Sequence, residues 1–358
     1  MQLINQPRNY LFLYTRLPDY FFKCIRYLLQ TSSAGSKAWI VCYQQDKNAP
    51  YDIGRSDAIS ILDRSTFREA MLDHFQPDVI YISGWGDKLY NSIGKKNRSS
   101  IPVIMGLDNP WKANFRQRIA VWLSPFFQQK FCSHLWVAGI WQYEYARRLG
   151  FSPARIIRGL YCADTSQIRN NRQNKTRRIL YIGRLVNYKR PDWLLRAFIE
   201  IQRENPGLMD WKLTFIGNGP LHTDLQRNPS KNGQVEFLPF MQPTEIRKYY
   251  EEATVFCLPS HFEHWGVVVQ EAAAAGLPLL LSDTCGAATE FLVDGWNGYQ
   301  FRSQEFEDLK QKLLLLMNKE ITELDEMGNA SSKLSKRIDH DSWAASLKSV
   351  LVNYSNNG

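Results

Sequence analysis

What this chain lacks narrows the field first. Nowhere in its 358 residues is there a run of eighteen apolar residues, so no membrane-spanning helix is expected. The opening stretch, MQLINQPRNYLFLYTRLPDYFFK, meets charge soon after a short apolar run and has no small-residue cleavage site, so no secretory leader is expected. Without secretion, the glycosylation-like triplets at Asn97 and Asn174 are chance matches. The six cysteines (Cys24, Cys42, Cys132, Cys162, Cys257 and Cys285) are scattered, with no C-x-x-C pair, and read as reduced thiols of a cytoplasmic protein. His261, His264 and His340 form no metal-spaced set. The D-H-D triplet at 339–341 imitates a metal-binding carboxylate pair, but it precedes SWAASLKSVL and reads as a helix start. No metal site and no bound cofactor are expected.

Charge is present but unevenly placed. Residues 1–170 hold 22 Lys and Arg against 12 Asp and Glu, while the remainder holds 22 against 23. The first half therefore carries the whole net charge of +9 and points to an anionic partner there. No nucleic-acid module accompanies it, so an anionic membrane surface or a phosphorylated acceptor fits better than nucleic acid.

The apolar residues fall in short runs separated by amphipathic stretches. YLFLYT (10–15), KAWIVCY (37–43), DVIYIS (78–83), IPVIMGL (101–107) and HLWVAG (134–139) predict strands, and 18–30, 64–76, 84–96, 111–123 and 139–149 predict helices between them. Near-continuously apolar strands alternating with helices imply a parallel sheet covered on both faces. A polar stretch follows, and then the alternation restarts with RILYIG (178–183), WKLTFIG (211–217), QVEFLPF (234–240), VFCLPS (255–260) and LPLLLS (277–282). The expected organisation is a first domain over 1–165, a linker over 166–177, a second domain over 178–335 and a C-terminal helix over 336–358 that packs back on the first domain. Ligands of doubly wound folds sit beyond the carboxyl ends of the strands, here expected in a cleft between the domains.

Three strand ends of the second half carry the chemistry. GRLVNYK (183–189) places Gly183 and Arg184 past one strand and Lys189 before the next helix. IGNGP (216–220) places Gly217, Asn218 and Gly219 past another, and SHFEHWGVVVQEAAAAGLP places Glu263 in a loop, Gly266 and Val267 at a helix start and Glu271 within the helix. Glycine lets backbone N–H groups approach a phosphate, and a helix N-terminus adds a favourable dipole. Two carboxylates eight residues apart in so apolar a stretch need partners, from protein or from ligand. A salt bridge to a core arginine is the purely structural alternative for Glu271, and Gly217 and Gly219 could be there for conformation alone.

Together with SDTCGAATEFLVDGWNG (282–298), these segments resemble the retaining, metal-independent glycosyltransferases of family 4 (group 1), whose fold is GT-B. Order, spacing and residue types agree over about 120 residues. The resemblance implies two Rossmann-like domains facing each other across a cleft and a UDP- or GDP-sugar as co-substrate. It implies that Arg184 and Lys189 neutralise the donor diphosphate and that Glu271 accepts both ribose hydroxyls. Glu263 would meet hydroxyls of the donor sugar, the amides from Gly266 and Val267 onward would face the distal phosphate, and backbone at Phe240 and Met241 would hold the base.

The first half matches less well. The loop after its first strand, YTRLPDYF, lacks the family's glycines, and Leu107 stands where a histidine usually orients the donor. The neighbouring Asp108 either approaches the reacting sugar or caps a helix starting near Trp111. Trp111, Phe115, Ile119 and Trp122 recur at helical spacing with Lys112, Arg116 and Arg118 on other faces. That helix either lies on an anionic membrane or buries its aromatics in the core, and core is the plainer expectation. The expected function is transfer of a sugar to a glycan or lipid-linked glycan acceptor in lipopolysaccharide, O-antigen or capsule assembly, in the cytoplasm or on the inner face of its membrane. A catalytically impaired nucleotide-sugar-binding protein and a GT-B sugar-nucleotide epimerase remain as alternatives.

Overall fold

The structure is a computed structural model that describes residues 6–44, 56–170, 175–227 and 234–355. Asn174 and residues 171–174 of the expected linker lie outside the described residues. The chain divides into two compact units, 1–164 with 338–358 and 165–337.

The first unit holds strands β1 (Asn9–Leu13), β2 (Lys37–Cys42), β3 (Ile59–Asp63), β4 (Val79–Ile82), β5 (Val103–Leu107), β6 (His134–Val137) and β7 (Ile156–Arg158). Its helices are α1 (Asp19–Gln30), α2 (Leu72–Phe75), α3 (Lys88–Asn97), α4 (Phe115–Leu123), α5 (Gln128–Phe131) and α6 (Ile140–Arg148). The second unit holds β8 (Arg178–Ile182), β9 (Lys212–Ile216), β10 (Val235–Leu238), β11 (Val255–Leu258), β12 (Leu279–Ser282) and β13 (Gly298–Phe301). Around these lie α7 (Pro191–Glu204), α8 (His222–Gln226), α9 (Pro243–Glu252), α10 (Val267–Ala274), α11 (Ala288–Phe291), α12 (Phe306–Met317) and α13 (Ile321–Ser335). The final helix, α14 (His340–Ser355), returns to the first unit.

Among the described residues both sheets are wholly parallel: seven strands in the order β3-β2-β1-β4-β5-β6-β7, and six in the order β10-β9-β8-β11-β12-β13. Central strands such as VIYI in β4, VFCL in β11 and LLLS in β12 are buried at every residue, because helices cover both faces. In the edge strand β3, ISILD, only Ile59 is buried and Ser60, Ile61 and Asp63 are exposed, which weakens its apolar signal and explains why sequence patterning passes over it.

Other differences from the expected elements have local causes. Residues 64–76 form a turn and the one-turn helix α2 rather than one long helix. Asp63 accepts from the Ser65 N–H at 2.7 Å and its hydroxyl at 2.5 Å, holding the chain in a turn. Helix α13 was not expected, since ITELDEMGNASSKLS is polar and holds a glycine. A Cβ at Gly328 would lie 2.1 Å from the Gly276 carbonyl oxygen, so close approach of backbones explains that glycine. The core reading of the α4 aromatics is overturned: Trp111 packs against the first unit's core, but Phe115, Ile119 and Trp122 are exposed.

Helix α14 is anchored by Trp343, whose indole N–H donates to the Leu160 carbonyl at 3.0 Å while its ring lies 4.7 Å from that of Trp136. Asp339 opens this helix by accepting from the Ser342 N–H at 2.8 Å, as the helix-start reading of 339–341 has it. The same return brings His340 beside Cys24 and Cys162, with donor atoms within 4.8 Å of one another. Sequence spacing could not show this cluster, because its members come from α1, a loop and α14. Burial pushes the Cys24 thiol well above its ordinary range.

The half-buried His134 and the buried Asp87 both contribute to the acid response of the first unit. Burial, helped by nearby Arg155, lowers His134 to about 4. For Asp87, burial raises the pKa, but Arg64, Tyr43 and the α3 amides outweigh it and bring it to about 2. In both cases the unfolded chain binds the proton more readily, so stability falls as pH falls. His134 acts from about 6.5 down to about 4 and Asp87 from about 4 down to about 2, each worth a few kcal/mol at most, on the order of 3 and 2. Thermal unfolding against pH should therefore flatten over the upper window in His134→Asn and over the lower one in Asp87→Asn. Parallel curves for variant and parent would refute the assignment.

Candidate functional site

Each sheet reverses its strand order once, and in the second unit the reversal falls between β8 and β11. Loops leaving neighbouring strands on opposite faces splay apart there and leave a crevice beyond the carboxyl ends. The two loops that leave this point carry Gly183, Arg184 and Lys189 after β8, and Glu263 and Gly266 after β11.

They are joined by charge. Lys189 Nζ lies 2.6 Å from Glu263 Oε2, and each side chain is only 14% exposed. A second tie runs from the His261 N–H to the Tyr188 carbonyl at 2.7 Å. Lys189 ends a short turn, Asn187–Lys189, that Arg190 closes in the left-handed conformation with φ 51°. Arg184 donates to the hydroxyl of Tyr188, its guanidinium 5.9 Å from that ring, and Tyr181 donates to the Arg184 carbonyl at 2.9 Å. The β8 loop is thereby stiffened with its two cations on it.

Beside it runs the loop after β9. The Leu185 N–H donates to the Asn218 carbonyl at 2.9 Å. A Cβ at Gly217 would fall 2.2 Å from the Gly183 oxygen, and one at Gly219 would fall 2.2 Å from the Leu185 oxygen. Gly217 also has φ 139°, so close packing at both positions and backbone conformation at Gly217 call for glycine. Asn218 Oδ1 accepts from the Phe240 N–H at 3.1 Å and so ties in the segment with the half-buried Phe240 and Met241.

Gly266 starts α10 in the left-handed conformation, φ 93°, with Val267 as first helical residue. One turn on, Glu271 Oε2 accepts from the Tyr250 hydroxyl at 2.7 Å, and Tyr250 is 2% exposed. Both carboxylates of the apolar stretch thus have protein partners, Lys189 and Tyr250, where a ligand had been the expected source. The SDTCGAATE loop braces them: Gly286 N–H donates to the Glu263 carbonyl at 3.1 Å and Ala287 N–H to that of Trp265 at 2.9 Å. Ser260 Oγ and His261 Nδ1 are buried there without a hydrogen-bond partner among the described residues. Ser260 had not been singled out from the sequence and His261 had been weighed only as a metal ligand and set aside, although both sit at the end of β11, where ligands of such folds gather.

Asp108 belongs to the first unit. Its carboxylate accepts from the Tyr161 hydroxyl at 3.0 Å and its carbonyl from Gln142 at 2.8 Å. The capping role considered for it falls to Asn114, whose side chain accepts from the Gln117 N–H at 2.9 Å where α4 begins. Leu107 is buried in the core. A cavity of about 400 Å³ opens beyond β1, β2 and β3, lined by Thr15, Arg16, Tyr43, Gln44, Asp63 and Ser65, none of which sequence reasoning had marked.

Comparison with known proteins bears on one segment of the chain. Residues 163–334 match the family described as glycosyl transferases group 1. That segment is a group 1 glycosyltransferase domain. A glycosyltransferase of Haemophilus influenzae with no assigned role is 31% identical over 150 residues, which are 41% of this chain and 40% of that relative. The chain therefore spans well under half the length of the curated relative it matches. Among solved structures, sucrose-phosphate synthase from Thermosynechococcus elongatus superposes with TM-score 0.76 at 14% identity, covering 98% of this chain and 100% of the other. HepE of Anabaena, in complex with UDP-glucose, superposes at 0.70 and 15% identity, covering 98% and 100%. At such identities the likeness is one of fold, and both the parallel sheets and these neighbours give the chain the GT-B fold.

Proposed function

We propose that the chain is a retaining, metal-independent glycosyltransferase. It moves a sugar from a UDP- or GDP-linked donor to a hydroxyl of a glycan or lipid-linked glycan. The setting proposed is lipopolysaccharide, O-antigen or capsule assembly on the cytoplasmic face of an anionic membrane, as the basic first half suits. The observation that carries the reading is the Lys189–Glu263 pair across the strand-order reversal of a group 1 domain.

In this reading Lys189 and Arg184 meet the donor diphosphate and stabilise the charge that grows on it as the glycosidic bond breaks. Glu263 holds Lys189 and accepts hydroxyls of the donor sugar, and Glu271 accepts those of the ribose. The backbone from Gly183 and from Gly217 to Gly219 lies alongside the donor, and the amides of Gly266 and Val267 face its distal phosphate. Phe240 and Met241 border the base. The acceptor oxygen attacks the anomeric carbon from the face the phosphate leaves. The bond to the phosphate oxygen breaks with its electron pair, and the acceptor proton passes to that phosphate.

Titration calorimetry of the purified chain with UDP-, GDP- and ADP-sugars in EDTA tests this. Micromolar binding of one donor is expected, and absence of binding by every donor would overturn the site assignment. A second reading, donor binding without catalysis, is favoured by the buried Leu107 and the glycine-free loop after β1. It would be supported by tight donor binding with no hydrolysis and no transfer.

A further inference from the structure

Helix α4 and the turn after it depart from the pattern of a surface helix. No residue of α4 is buried. Phe115, Ile119, Trp122 and Phe126 follow one helical stripe and are 77%, 39%, 77% and 63% exposed, with Phe127 beside them at 50%. A run of exposed rings on one stripe marks an interaction surface. The display is held in place from behind: Trp111 and Val121 pack against the core, and both the buried Ser124 hydroxyl (2.7 Å) and Gln129 (2.9 Å) donate to the Leu149 carbonyl.

Charge identifies the partner. From Asn109 to Tyr143 there is no Asp or Glu, and Lys112, Arg116, Arg118 and Lys130 are all exposed. Lys130 Nζ lies 5.7 Å above the Phe126 ring, so cation and aromatic are intermixed rather than on separate faces. A second copy of this chain seated on the patch by two-fold symmetry would set these cations against their own copies. A bilayer with anionic headgroups suits both features, taking Trp and Phe into the headgroup–acyl boundary and the four cations onto lipid phosphates.

We infer that the α4–α5 patch is the surface by which this chain lies on an anionic membrane. This deepens the membrane placement proposed above and names the residues that make the contact. Vesicle flotation of the full chain tests it, with phosphatidylcholine alone or mixed with phosphatidylglycerol, in low and high salt. Binding to the mixed vesicles is expected, at least about tenfold weaker on the neutral ones and weakened by salt. Replacing Lys112, Arg116, Arg118 and Lys130 by Gln should weaken it by up to about a thousandfold. The Phe115→Ser/Trp122→Ser variant should lose it, together with a blue shift of tryptophan emission on vesicles. These side chains are exposed, so unchanged thermal unfolding and donor binding serve as the folding control. Undiminished binding by both variants would overturn the patch while leaving the membrane placement standing. No binding by the parent chain would overturn both, and donor titration reports on the transferase reading separately. A dimer in solution that Trp122→Ser dissolves would overturn the membrane assignment in favour of self-association.

Discussion

Lys189→Ala is expected to lower kcat/KM about a thousandfold, the upper range for removing one stabilising group from a developing oxyanion. The physical reason is that Lys189 has two duties. It answers the half-buried carboxylate of Glu263 at 2.6 Å, and it offers positive charge beside the glycine-bordered end of β8. Deleting it also leaves Glu263 poorly solvated, so a loss of stability of about 3 kcal/mol should accompany the loss of activity. The two effects separate in the double variant Lys189→Ala/Glu263→Gln. Removing the carboxylate's charge should restore the unfolding temperature while activity stays low. If activity returned with stability, the pair would be a structural strut and the diphosphate role would be lost.

The second large effect is expected at Glu271. Glu271→Gln should raise the donor dissociation constant on the order of a hundredfold, because each hydrogen bond from a ribose hydroxyl to a carboxylate contributes about 1.5–3 kcal/mol. Tyr250→Phe removes the 2.7 Å protein partner of the same carboxylate but leaves its charge, so it should cost tenfold or less. A 2′-deoxyribose donor sharpens the test. It should bind the parent chain much more weakly than the ribose donor and bind Glu271→Gln nearly as well as the ribose donor does. That non-additivity is the signature of direct contact. Equal discrimination by both proteins would remove Glu271 from the ribose.

How far these residues were readable beforehand depended on their setting. Glu263, Glu271, Arg184 and Lys189 stood out because charge in an apolar, glycine-punctuated context is costly and therefore informative. That Glu263 pairs with Lys189, 74 positions away, was not readable, since strand order alone puts β8 next to β11. Ser260 was missed and His261 was set aside as no metal ligand, because a serine and a histidine at a strand end carry no pattern until burial leaves them unpartnered. The α4 aromatics were misjudged for the opposite reason. Helical spacing reports that four side chains share a face, but not whether that face is turned inward.

Alternation of apolar runs and amphipathic stretches was enough to specify parallel sheets, because period and burial are local properties of a strand covered on both faces. The strand-end glycines and charged residues were enough to place the candidate chemistry in the second half. Three things required the folded chain. They are the union of Lys189 with Glu263, the gathering of Cys24, Cys162 and His340 when α14 returns to the first unit, and the outward turn of Phe115 and Trp122. Each depends on which distant element comes to lie alongside another, and long-range packing settles that where local periodicity is silent.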